Sequence, residues 1–469
     1  MDKAIARGLK LGSTFVDVRF ERFTVDSVGA EDGKPKESGS STRLGVGVRA
    51  LAGGSWGFSA VQLQEPIELG KILTAAEEAT KLAKATRTHS KAIELAEVKP
   101  VKDKVQAEFS IDPRNVSVEE RMDVCVEASR RMLQFDSAIK KSYAGISTSS
   151  VEKLFSSSEG TQLEQSDVVV HGGLFATAVS GGISEFYMQR EAGTRGFELI
   201  NDYNIVSHAE EVAKKALSLV KAKGAPTKRL PVILDPEFVA LLIHEIVGHP
   251  SEADRVIGKE AAWAGRAWWA DKVGQKLFSD QLTVVSDATQ PGHLGSFKYD
   301  DEGVPTKRVT HIQKGVLQNF LHSRETAKIF NTEPNGGMRA TSYLFVPLIR
   351  MTNTYAEKGE WTFDDMFEGI KEGVYLRGEK VPSIDSRRFN FQISAKEASL
   401  IENGEITQPL RSATLTGTSP DFLSSIDAVA RDAKIFPIPN CGKGDPMQTM
   451  RVGNGGPHVR GFGMVTGPK

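Results

Sequence analysis

The run His244-Glu245-Ile246-Val247-Gly248-His249-Pro250 constrains this chain more than any other. From Phe238 to Val247 the only polar side chains are His244 and Glu245. A stripe that apolar belongs in an interior, where a carboxylate left unpaired is strongly disfavoured. A divalent metal, or water bound to one, would answer that charge. Two histidines and a glutamate on one helix form the pattern of zinc peptidases, in which the imidazoles bind the ion and the carboxylate activates water.

The spacing needs its own account. Histidines four apart nearly eclipse on an α-helix, but His244 and His249 are five apart, about 140° around a regular helix. Pro250 has no N–H, and its ring clashes with the carbonyl of Ile246. It also biases His249 away from helical dihedrals, and Gly248 permits an unusual one. The helix is therefore expected to break or bulge at Val247–His249, swinging His249 round to the side of His244. Two imidazoles seldom hold zinc alone, so a third protein ligand is expected. Glu252 is the local candidate. Cys441, in the Gly-rich segment Asn440-Cys441-Gly442-Lys443-Gly444, is the remote one, and thiolate is a strong zinc ligand.

Composition narrows the rest. The 469 residues are 39% hydrophobic and 25% charged with a formal net charge of -1, which suits a soluble globular chain and argues for no nucleic-acid or membrane partner. The length exceeds one core. Met1 to Gly12 lacks the apolar core of a secretory signal, and no stretch approaches a membrane span. Two cysteines make no disulfide framework, so a cytoplasmic setting is expected.

The first half reads as mixed α+β. Phe15 to Phe23 alternates as a strand, and Leu44 to Phe58 reads as a hairpin turning at Gly53-Gly54. Glu65 to Thr86 reads as a helix. Another starts at the capping box Ser117-Val118-Glu119-Glu120, with Val118, Met122, Cys125 and Met132 as its buried face. Strands follow at Tyr143–Ser150, Val168–Ala178 and Ile183–Glu191, then a helix from Val206 to Lys221. The polar segment Lys221–Lys228 reads as a linker, dividing the chain into an N-terminal α+β domain, 1–225, and a C-terminal metal-binding catalytic domain, 226–469. There Leu230–Leu234 reads as a strand, Asp235 as an N-cap and Pro236 as the first helical residue. The short strand-like pieces beyond it, among them Phe345–Thr352, Phe389–Ala395 and Ala398–Glu402, with Asn403-Gly404 as a hairpin turn, predict a curved antiparallel β-sheet or barrel.

The motifs also resemble a known family. His244-Glu245 and His249, followed by Glu252 and Asp254, are similar to the TldD branch of the TldD/PmbA family. So are Asp300-Asp301-Glu302-Gly303, Arg350-Met351-Thr352-Asn353-Thr354, Leu400-Ile401-Glu402-Asn403-Gly404 and Cys441-Gly442-Lys443. The resemblance covers nearly the whole chain. It implies a metallopeptidase with one zinc per chain held by His244, His249 and Cys441, and Glu245 as general base. It also implies a homodimer, or a heterodimer with a related PmbA-like subunit, acting without ATP on unfolded or flexible polypeptides.

Some roles stay open at this level. Arg339, Arg350 and His322 are candidates for stabilising an oxyanion, and the sequence selects none of them. Asp300-Asp301-Glu302 reads either as a cation or peptide-terminus grip or as a solvated turn. Trp263, Trp268 and Trp269 read as a substrate wall or as core. Gly453–Pro457 lacks the ending of a phosphate loop. The other readings of the whole are a metal-stabilised subunit that grips peptides without cutting them, and a hydrolase of small amides.

Overall fold

The computed structural model describes residues 1–86, 92–260 and 266–468. One seven-stranded sheet organises the first half, in the order Ser55–Gln62, Lys34–Ala52, Phe15–Glu31, Ile139–Ser157, Gln162–Ser180, with Lys102–Val105 and Ile183–Gly193 both on the last of these. The sheet serves two separate cores. At one end Val16, Val18, Val46 and Val48 pack under the helices Asp2–Lys10 and Leu69–Ala85. At the other, Ile146, Val170 and Leu174 pack under Val118–Gln134 and Ile205–Lys221.

The strands run well past their expected ends. Their middle stretches, such as Thr24–Ser27 and Ser147–Ser150, are polar and show no alternation, so pairing with long neighbours holds them, not a buried face. Ser117 caps its helix by accepting from the Glu120 N–H at 3.0 Å. Cys125 and Met132 are buried there as expected, but Val118, in the first turn, is exposed, and Arg121 is buried.

The second half combines a closed barrel with a curled sheet. Five strands close the barrel: Glu372–Ile384, Lys228–Leu234, Val459–Thr466, Thr414–Thr418 and Asn390–Glu402. Only the contact of Glu372–Ile384 with Lys228–Leu234 is parallel within that ring. Asn403 and Gly404 turn a hairpin with φ of 51° and 84°, the left-handed values such a turn requires. Phe389–Ala395 and Ala398–Glu402, read separately in the sequence, form one strand. Lys223–Gly224 pairs with Glu405–Arg411, so the expected linker is partly stitched to the barrel.

The six-stranded sheet runs Val316–Leu317, Val309–Gln313, Val284–Ser286, Asn353–Ala356, Gln448–Gly456, Lys434–Lys443. Gly453–Gly456 thus lies in a strand. Phe345–Thr352, expected as a strand, contributes only Leu348–Ile349. Between barrel and sheet runs the helix Pro236–Ile243, every residue from Phe238 to Ile243 buried. Asp235 caps it, accepting from the N–H groups of Phe238 at 2.7 Å and Gly378 at 2.9 Å. That single carboxylate ties the helix start to a barrel strand.

Candidate metal centre

The helix does not stop at Ile243 but widens. Residues His244–Gly248 form a π turn, in which the His249 N–H reaches the His244 carbonyl. A hydrogen bond spanning five residues brings side chains five apart on to one side. The expected distortion is therefore present, but its means differ. Gly248 (φ -61°, ψ -59°) and His249 (φ -60°, ψ -45°) both keep helical dihedrals. Gly248 is needed for space instead: a Cβ there would lie 2.0 Å from the Met351 sulfur. Ser251 donates its hydroxyl to the Val247 carbonyl at 2.7 Å, and the Trp269 indole donates to the Pro250 carbonyl at 2.7 Å.

Cys441 arrives from the edge strand Lys434–Lys443, past a bulge between Ile438 and Cys441. One donor atom each from His244, His249 and Cys441 lies within 4.8 Å of the other two, and all three residues are buried. The Cys441 sulfur is 3.5 Å from His249 Nε2. The far nitrogens are anchored. His244 Nδ1 lies 3.0 Å from Asn454 Oδ1, whose amide nitrogen donates to the Thr354 carbonyl at 3.1 Å. His249 Nδ1 lies 3.0 Å from Glu252 Oε2. With Nδ1–H donating to these oxygens, each ring turns its Nε2 towards the cysteine sulfur. Among the described residues no fourth donor joins the group. Two imidazoles, one thiolate and an open position fit a tetrahedral zinc-type ion.

Electrostatics agree with that donor set. Burial pushes the Cys441 thiol up, but the two imidazoles outweigh it and hold it well below the usual thiol range. Burial pushes His244 down, and the neighbouring thiolate overrides this, raising it to about 9. Burial pushes Glu245 up, yet Arg388, His244 and His249 keep its carboxyl below the usual range. Arg388 Nη1 makes a direct ion pair with Glu245 Oε2.

Glu252 stands behind His249. It is fully buried and also meets Arg255 Nε at 2.9 Å and Lys443 Nζ at 3.2 Å. Lys443 further donates to Asp254 at 2.7 Å and to the Ile349 carbonyl at 2.8 Å. Glu252 thus joins the histidine turn to the cysteine strand. The three oxyanion candidates turn elsewhere. Arg339 donates to the carbonyls of Arg451 and Met351, and Arg350 to those of Gln448 and Cys441. His322 packs on Phe330 with its nitrogens 3.3 Å from Asn319 and Thr326.

Three residues at the site escaped the sequence reading. Lys443 carried a readable signal, since it lies two beyond Cys441 on a strand and so shares its face. Asn454 and Arg388 had none, being 210 and 143 positions from the residues they contact. The acidic triplet is neither grip nor solvated turn: Asp300, Asp301 and Glu302 are all buried. Trp269 is core, and Trp268 packs against Trp269, Phe278 and Phe389. Trp263 lies outside the described residues.

Comparison with known proteins gives a consistent result. The chain matches the PmbA/TldA metallopeptidase C-terminal domain over residues 227–467, domain 1 of that family over 16–83 and its central domain over 111–220. It is 36% identical to a metalloprotease of Methanocaldococcus jannaschii over 98% of this chain and 99% of that one. It is 27% identical to a zinc metalloprotease TldD homolog of Saccharolobus solfataricus, covering 98% of each. The crystal structure of TldE from Thermococcus kodakarensis shares the fold with a TM-score of 0.79 at 19% identity, over 99% of both chains.

Proposed function

Because the chain belongs to the PmbA/TldD metallopeptidase family, we propose that it hydrolyses peptide bonds in unfolded or flexible polypeptides, using one zinc ion and no ATP. The convergence of His244, His249 and Cys441 is the observation that carries this reading. These three side chains would hold the ion, and Asn454 and Glu252 would fix the imidazoles. When bound, zinc supplies Lewis acidity that makes water a nucleophile at neutral pH.

Glu245 is the general base in this account. Its carboxylate is ionised at neutral pH, so it can accept the proton of the attacking water and pass it to the leaving amine. The buried surroundings of the cluster limit competing water and strengthen each charge interaction. We further propose that residues 1–225 and 226–469 are the two folding units, and that the working form is a homodimer or a heterodimer with a related PmbA-like subunit. No helix among the described residues is long and apolar enough to cross a membrane. Both cysteines are free thiols, which supports a reducing, cytoplasmic setting.

The test is Glu245→Gln, assayed on an unstructured peptide beside a zinc determination. The expected result is retained zinc with hydrolysis lost. Retained hydrolysis would remove Glu245 from its role. Wild-type protein that binds flexible peptides, carries zinc and never cleaves them would instead favour a non-catalytic peptide-binding subunit.

A further inference from the structure

One short segment, Arg350–Thr354, reaches the surroundings of all three proposed ligands. Arg350 donates to the Cys441 carbonyl, and the Thr354 carbonyl accepts from the amide nitrogen of Asn454, which holds His244. Between these two contacts Met351 meets the turn that carries both histidines. Its sulfur lies against Gly248, where an added Cβ would overlap it and would meet Met351 Cγ at 3.2 Å and Cε at 3.4 Å. The same sulfur is 3.9 Å from Asn454 Nδ2. We propose that Met351 is a positioning residue of the metal centre: its thioether wedges the widened turn at Gly248 and braces the Asn454 amide, keeping both imidazoles aimed at one ion. This rests on the zinc-peptidase reading above.

Both contacts act on groups that could otherwise move. A π turn is a rare departure from the α-helix. Tightened to a regular helix, the same residues would put His244 and His249 about 140° apart. Met351 fills the side of the turn that Gly248 leaves bare. The Asn454 amide offers donors on nitrogen and an acceptor on oxygen. Its nitrogen donates to the Thr354 carbonyl at 3.1 Å and faces the sulfur, a weak acceptor. That leaves the oxygen for His244 Nδ1, at 3.0 Å.

Methionine suits this slot. Its chain is unbranched and its thioether is polarisable, so a single sulfur atom can enter a narrow gap. Leucine has about the same volume but branches at Cγ, which sets two methyl groups where one sulfur now lies. The backbone around Met351 is tied on both sides. Its carbonyl accepts from Arg339, and the Arg350 N–H donates to the Gly337 carbonyl at 2.8 Å. The Thr352 carbonyl accepts from the Gly453 N–H at 3.2 Å, and the Asn353 amide nitrogen donates to the Asp287 carbonyl at 2.9 Å. A buried methionine ordinarily only fills core space. This one, wholly buried, touches a glycine between two ligands and the amide behind one of them.

The experiment uses full-length protein, loaded with zinc and titrated against a chelator, with cobalt(II) as a spectroscopic replacement. Met351→Leu conserves volume, so its urea midpoint should stay near that of the wild type. Zinc should nonetheless bind about 10–100-fold more weakly, and the visible bands of the cobalt(II) protein should change. Gly248→Ala should also weaken zinc, by driving a methyl group into the sulfur. Adding Met351→Ala makes room for that methyl. The double variant should therefore bind zinc more tightly than Gly248→Ala alone, a coupling that independent packing defects would not show. This comparison decides the matter if Met351→Leu does not fold. Wild-type zinc affinity and cobalt spectrum in Met351→Leu, or a double variant no better than Gly248→Ala, would overturn the proposal. A wild type that takes up zinc and cleaves no peptide would sink the peptidase reading, and the zinc measurements would still decide the role of Met351.

Discussion

Around Asp300, Asp301 and Glu302 all six carboxylate oxygens meet a donor; around His244, His249 and Cys441 three donor atoms face one another and keep their partners behind them. Asp300 accepts from the N–H groups of Glu302, Val304 and Met338. Asp301 holds Lys153 at 2.6 Å and the Ala340 N–H at 2.8 Å, with Arg19 at 3.6 Å. Glu302 holds Arg49 at 3.2 Å and the Arg324 N–H at 2.8 Å. Arg19, Arg49 and Lys153 belong to the N-terminal sheet, so this triplet clamps one half of the molecule to the other. Both clusters are buried and rich in charge. Only one has atoms left facing a common point. Buried charge alone does not mark a site; convergence with the anchoring groups on the far side does.

The comparison breaks most visibly at Asp301. Replacing it with alanine takes the nearest carboxylate from Lys153 and the acceptor from the Ala340 N–H, leaving Glu21 to answer both Lys153 and Arg19, and an unfolding free energy lower by about 3 kcal/mol is expected, with zinc affinity unchanged. Urea denaturation beside a chelator competition would check both halves. Burial pushes the Asp301 carboxyl up, but Lys153 and Arg19 outweigh it and hold it below its usual value. A group depressed in the folded state adds stability above its unfolded pKa, about 3.9, and loses it as pH falls through the folded value. The wild type should therefore lose stability on acidification below about pH 4 more steeply than Asp301→Asn.

Lys443 sharpens the same contrast from the other side. Lys443→Met keeps the shape of the chain and removes the charge that holds Glu252, Asp254 and the cysteine strand together. Zinc should bind about 10–100-fold more weakly in a chelator competition, as when groups behind metal ligands are removed. An unchanged affinity would reduce the Glu252–Lys443 bridge to packing.

The sequence showed His244, Glu245 and His249 because polarity inside an apolar run is a local signal. It suggested Cys441 through its glycine neighbours. Gly248 and Pro250 mark the place of the distortion but not its form, because a π turn absorbs the extra residue without leaving helical dihedrals. Closure of the barrel was harder to read, since the strand Glu372–Ile384 carries glycine, charge and proline within its length. The full length of the N-terminal strands is hidden for a related reason: their largely polar middles are held by neighbours distant in the chain, which no window of sequence contains. Arg388 and Asn454 were hidden in the same way.

Three donors drawn from a widened helical turn and a remote strand around one ion form the core of this account. Elemental analysis of the purified wild type beside Cys441→Ala tests it most directly. About one zinc per wild-type chain, and a large loss in the variant, is the predicted result. Equal zinc in both proteins would take the thiolate out of the ligand set and contradict the site as drawn.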